Sequence, residues 1–124
     1  MLSKMLLIAG PYRSGTNGDP LLIKRNLERL EAAALAVYQR GHMPVIGEWA
    51  ALPLAMQAGS AEVGDAVSEQ FLYPVAARLL SHCDGVLRIA GASKGADGDV
   101  RIAGELGLAV YYHLAEIAAV TTTP

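Results

Sequence analysis

Apolar residues in this chain fall into short continuous runs separated by longer stretches at helical spacing. Residues 4–9 form one such run, closed by Gly10-Pro11, the pattern of a strand buried on both faces of a parallel sheet. A glycine-rich loop follows, and Asp19-Pro20 then supplies a capping carboxylate with proline at the first helical position. Ile23, Leu27, Leu30, Ala34 and Val37 share one face of the resulting helix. Lys24, Arg25, Glu28, Arg29 and Glu31 lie mainly on the other, and Gly41 ends it.

Residues 42–46 predict a weak second strand, and Pro44 suits an edge better than a centre. The mixed stretch from Glu48 to Gly59 predicts only a short helix near 52–58. A second long helix is expected over 65–82, with Val67, Phe71, Val75 and Leu79 on one face and Pro74 kinking or splitting it. A third strand over 85–90 leads through a turn at 91–95 into a helix over 97–106. Gly107 stops that helix before a fourth strand over 108–112. This alternation predicts an α/β domain, a flavodoxin-like or Rossmann-like three-layer sandwich around a small, mainly parallel sheet of four to five strands. One domain is expected over 1–120, with 121–124 as a frayed tail.

Composition narrows the class. With 124 residues, 52% of them hydrophobic and 18% charged, the chain can close a core as a single folding unit. A net charge of −2 gives no broad basic footprint, so duplex nucleic acid and anionic membrane surfaces are not expected partners. The opening apolar run is about half as long as a secretory leader needs and far short of a membrane span. One cysteine, Cys83, cannot form an internal disulfide; a reducing, cytoplasmic setting fits. Aromatics are only 6% of the chain, so packing relies on small residues, whose surfaces a second subunit could share.

In open parallel sheets ligands bind beyond the carboxyl ends of the strands, which singles out the loops at 10–18, 47–49 and 90–99. The first has Gly10, Gly15 and Gly18 but neither a dinucleotide fingerprint nor a Walker ending, so no nucleotide cofactor is expected. Gly10 would let a ligand approach the backbone while Tyr12 and Arg13 face it; an ordinary turn accounts for the same residues. The third loop carries Ser93, Lys94, Gly95, Asp97 and Asp99 into a helix start, where amides and dipole favour anions. A carboxylate there should stay ionised, the state that a nucleophile requires, although acidic capping explains it equally. Arg88 is a charge in a strand that should be buried. With Arg13 and Lys94 it could hold a 5′-phosphate, or it could pair structurally with Asp97, Asp99 or Glu48. Trp49 could stack on a base or plug a small satellite core. His42, His82 and His113 are scattered, so no metal is expected, and Cys83 reads as a small buried hydrophobe.

Several of these residues together resemble a known family. Ala9-Gly10-Pro11-Tyr12, Gly41-His42-Met43-Pro44, Cys83-Asp84-Gly85-Val86-Leu87, Ser93-Lys94-Gly95, Asp99, Ala103 and Leu106-Gly107 look like the nucleoside 2-deoxyribosyltransferase-like superfamily, and most like its short single-domain bacterial branch. The resemblance implies that Asp99, six residues after Ser93, stands where the superfamily has the glutamate that attacks the anomeric carbon of a nucleoside or nucleotide. It implies that Tyr12 lies beside that carboxylate, that the loop from Ser93 to Gly95 cradles sugar or phosphate, and that the protein forms a homodimer or larger homo-oligomer. Asp99 is one methylene shorter than the family glutamate. The acid that relatives use near the third strand has no counterpart between Pro74 and Leu80, which leaves Asp97 or Glu69. The expected function is thus a nucleoside or nucleotide N-glycosidase or deoxyribosyltransferase. The alternative is a catalytically inactive nucleotide-binding or regulatory module, and a third possibility is a protein acting through self-association or partner binding.

Overall fold

A computed structural model describes residues 2–120. Four parallel strands, β1 (Met5–Ala9), β2 (Met43–Val45), β3 (Gly85–Arg88) and β4 (Ala109–Tyr111), form one sheet in the order β2-β1-β3-β4. Four helices join them: α1 (Pro20–Gln39), α2 (Gly47–Gln57), α3 (Ala66–Leu80) and α4 (Lys94–Glu105). The expected α/β class and three-layer, flavodoxin-like arrangement are present, with four strands. The expected tail at 121–124 lies outside the described residues.

Alternate residues of β1 divide the core between the two faces. Leu6 and Ile8 pack with Leu30, Ala34 and Val37 of α1, and with Ile46, Leu87 and Ile117. Leu7 and Ala9 face the other way, onto Leu80 of α3, Ala96 and Ala103 of α4, Cys83 and Val86. The central strands β1 and β3 are buried along nearly all their length because helices cover both faces, while the edge strands β2 and β4 are only partly buried.

Local chemistry sets most boundaries. Asp19 caps α1, accepting from Leu21 N at 2.9 Å with Pro20 behind it, and Gly41 at φ +92° follows its end. Asp65 caps α3 by accepting from Ser68 N at 2.8 Å, and the helix runs through Pro74 unsplit. Two starts differ from the sequence expectation. α2 begins at Gly47 rather than near Leu52 and continues past Pro53, although Ile46 at its cap offers no side-chain acceptor. α4 begins at Lys94 rather than Asp97, because Ser93 Oγ accepts from Ala96 N at 3.1 Å and so starts the helix three residues earlier.

Beyond β4, a 3-10 turn at Leu114–Glu116 leads into a strap along the α1 side. Val120 N donates to Arg40 O at 2.7 Å, and Arg40 Nη1 donates to Ile117 O at 2.8 Å. His42, only 3% exposed, accepts from Lys4 N at Nδ1 (3.0 Å) and meets Ala118 O at Nε2 (2.7 Å). A carbonyl can only accept, so the ring is the Nε2–H tautomer, and this histidine is structural rather than a surface group. No helix among the described residues is long and apolar enough to cross a membrane.

Candidate functional site

The chain leaves β1 for α1 on one face and returns to β3 from the other, so the strand order reverses beside β1. A crevice at that point, beyond the carboxyl ends of the strands, is the expected ligand position in such a sheet. A cavity occupies it. Its floor is the end of β1, and the loop after β1 contributes Gly10, Tyr12, Arg13 and Ser14. α2 contributes Gly47 and Glu48, α3 contributes Glu69, Leu72, Tyr73 and Ala76, and α4 contributes Gly95, Ala96 and Asp99 beside Ser93.

The loop after β1 is held from below. Asn26 of α1 donates through Nδ2 to Tyr12 O at 2.8 Å, and Thr16 Oγ1 donates to Arg13 O at 2.6 Å. These bonds fix Tyr12 and Arg13 before any ligand arrives. Gly10 is required for a reason other than ligand approach: a Cβ there would lie 2.8 Å from Leu30 Cδ2 and 2.9 Å from Ile89 Cβ. Arg13 lies over Gly64, where a Cβ would come within 2.5 Å of its guanidinium carbon, and its Nη1 bonds the Glu69 carboxylate. Its Nε is buried without a hydrogen-bond partner, which leaves one donor uncommitted.

Asp99 faces the cavity from the second turn of α4, partly buried. The sequence expectation of an ionised carboxylate at the helix start is overturned here. Helix α4 starts too early for Asp99 to meet its free amides, and loss of solvent, then the nearby Glu48 charge, push its pKa up to about 7 despite the opposing pull of Arg88. Burial also raises the Glu48 carboxyl above the usual range. Tyr12 is raised by burial and then by Glu48, against the pull of Arg13, so its phenol keeps its proton. Ser93 lines the cavity, but its Oγ serves as the α4 cap.

The seven anticipated residues besides Asp99 and Tyr12 divide into two groups. Gly10, Arg13, Ser93 and Gly95 join Tyr12 and Asp99 around the cavity, whereas Arg88, Lys94 and Asp97 do not line it. Arg88, 9% exposed, donates through Nη2 to Asp97 Oδ1 and to Gly91 O, each at 2.9 Å, and through Nη1 to Ile89 O. It is committed to structural pairing rather than phosphate binding. Lys94 is exposed, as is Asp97. Trp49 lies away from the cavity, donating to Glu31 Oε2 at 2.9 Å beside Tyr38 and Met43. Cys83 is buried, as expected of a small hydrophobe, and loss of solvent raises its thiol.

Glu48 is the residue that sequence reasoning missed. The loop at 47–49 was marked by its position after the second strand, but nothing in the sequence set its carboxylate beside Asp99. No family model matches the chain, and no curated protein matches it. Among the described residues there is no group of three or more His, Cys, Asp or Glu placed to hold a metal ion.

Proposed function

We propose that the chain is a nucleoside N-glycosidase or deoxyribosyltransferase in which Asp99 attacks the anomeric carbon. The observation that carries this is a partly buried carboxylate facing a cavity at the strand-order reversal, with the Tyr12 phenol and the Glu48 carboxylate on the same wall system. The resemblance to the nucleoside 2-deoxyribosyltransferase-like superfamily supports it. A carboxylate can trap an oxocarbenium-like centre as a covalent glycosyl ester, which water or a second base then resolves. Asp99 is shorter than the family glutamate but still borders the cavity, because Ser93 starts α4 on the cavity wall. Tyr12 orients the carboxylate or a sugar hydroxyl. As part of the same proposal, the protein works in the cytoplasm as a homodimer or larger assembly.

The charges favour an uncharged nucleoside over a 5′-monophosphate. Glu48, Glu69 and Asp99 border the cavity against one cation, Arg13, already bonded to Glu69. A phosphate would have to displace Glu69 from Arg13 and would find no second cation on the cavity wall to neutralise it.

Incubation of the protein with a panel of nucleosides and 5′-monophosphates, followed by chromatography of free base, tests the proposal. Nucleosides should release base faster than their monophosphates. Asp99→Asn should lower release by at least about 10³-fold, as loss of a covalent nucleophile does elsewhere. Ligand retained without release would instead identify a binding module. Neither release nor binding would end the glycosidic reading.

A further inference from the structure

Attack by Asp99 meets an obstacle in its own surroundings. The resting carboxyl keeps a proton up to about pH 7, and a protonated carboxyl is a poor nucleophile. The departing base also needs a proton, since a nucleobase anion leaves slowly without one. Asp97 and Glu69, the acids that the sequence offered, are unsuited. Asp97 is bonded to Arg88, has a side chain 72% exposed and does not line the cavity. Glu69 is committed to its ion pair with Arg13.

We infer, on the basis of the glycosidic reading above, that Glu48 is the proton carrier of this site, taking the proton of Asp99 and delivering it to the leaving nitrogen. The fold places it for that role. Glu48 enters the cavity from the first turn of α2, after β2, and Asp99 enters from α4, after β3; β1 lies between those two strands, and its end forms the floor between the two carboxyls. Among the charged and titratable groups of the elements around the cavity, Arg13 is taken by Glu69 and Arg88 by Asp97, while Tyr12 keeps its own proton. Among the described residues Glu48 has no ion pair and no side-chain partner, and its carboxylate meets only its own backbone N–H, so it is the carboxylate left to accept.

The steps balance. The proton of Asp99 passes to Glu48, leaving an Asp99 carboxylate and a Glu48 acid. An Asp99 oxygen bonds to C1′ as the C1′–N bond breaks, and the nitrogen takes its electron pair together with the Glu48 proton. Water then attacks C1′, giving one proton to the Glu48 carboxylate while the ester bond to Asp99 breaks and returns the carboxylate. The proton passes back to Asp99, and the net change is nucleoside plus water to base plus sugar.

The test compares wild type, Glu48→Gln and Asp99→Asn on a natural nucleoside and on a 4-nitrophenyl deoxyriboside, whose leaving group needs no proton. Glu48→Gln should slow the natural nucleoside by about 10²-fold or more, the usual worth of general acid catalysis, and alter the activated substrate far less, because without the Glu48 charge Asp99 gives up its proton to water more readily; Asp99→Asn should abolish both. Equal loss on both substrates in Glu48→Gln would overturn the role of Glu48 and leave the glycosidic reading standing. Absence of cleavage of either substrate by wild type would overturn both. Carbon-detected NMR of the Asp99 carboxyl gives a readout independent of turnover. Its midpoint should fall in Glu48→Gln, since the neighbouring charge is gone while burial remains, and an unmoved midpoint would show that the two carboxyls do not communicate and would sink the inference.

Discussion

On the α1 side of the sheet, Leu6, Ile8, Leu30, Val37, Ile46, Leu87 and Ile117 close a core of large aliphatic side chains. On the other side, Ala9, Ala96 and Ala103 stand among fewer large ones, and the cavity with Glu48, Glu69 and Asp99 opens next to them. Both faces hang on the same strands, with neighbouring residues of β1 serving opposite sides. The difference is volume. Where branched chains meet, the layers interlock; where alanines meet, helices come close near the sheet centre and leave room at the strand ends, into which carboxyls can be turned away from water. The larger aliphatic side chains gather on the first face, and the carboxyls with raised pKa values on the second.

The contrast can be broken most forcefully at Leu30. Leu30→Ala should cost about 2–5 kcal/mol of stability by chemical denaturation, and the pH response of Asp99 should survive in the folded fraction. Equal damage to both would show that the faces are coupled. An intermediate effect is expected from Asp99→Asn, which should stabilise the fold in a pH-dependent way. An aspartate in the unfolded chain titrates near pH 3.9 and Asp99 near 7 in the folded one. Between those values the folded state binds the extra proton, so its contribution is complete below about pH 4 and is lost as pH rises through about 7. The variant has no such proton. Its advantage over wild type should therefore grow from pH 4 to 7 and then level off, on the order of 2 kcal/mol after allowance for solvent at the cavity mouth. Melts at a series of pH values would show it; a constant difference would refute it. The smallest change in stability is expected at Ala76, which borders the cavity. Ala76→Leu adds volume at a buried position and should cost about 1 kcal/mol, the low end for such overpacking, because the added carbons can enter the cavity. Nucleoside binding, measured by calorimetry, should be lost.

The sequence makes some of this legible and hides the rest for identifiable reasons. Asp19-Pro20 and Gly41 bracket α1 because cap, proline and left-handed glycine are local signals, and the apolar runs of β1 and β3 report burial on both faces. Pro44 marks β2 as an edge, which it is. The start of α2 has no such signal: Ile46 cannot cap through its side chain, so the helix is set by tertiary packing on α3 rather than by its own residues. Ser93 did carry a cap signal, but Lys94-Gly95 after it does not read as a helix, and Asp97 drew the boundary too late. Those two misplaced starts are also what concealed the site. Glu48 becomes visible only when α2 begins at Gly47, and the charge state of Asp99 only when α4 begins before it. Their proximity depends on β1 lying between β2 and β3, a fact of strand order that no local pattern encodes.

Pro44 has an effect beyond marking the edge. Met43 N donates inward to Lys4 O at 2.8 Å, and Met43 and Val45 are set against Met5 and Leu7 of β1. In a ladder of this kind alternate amides point to opposite sides, so the residue between them would offer its N–H to the open rim. Proline has none to offer. A strand from another molecule approaching that rim finds no central donor, and templated growth into fibrils is checked there without any covering segment.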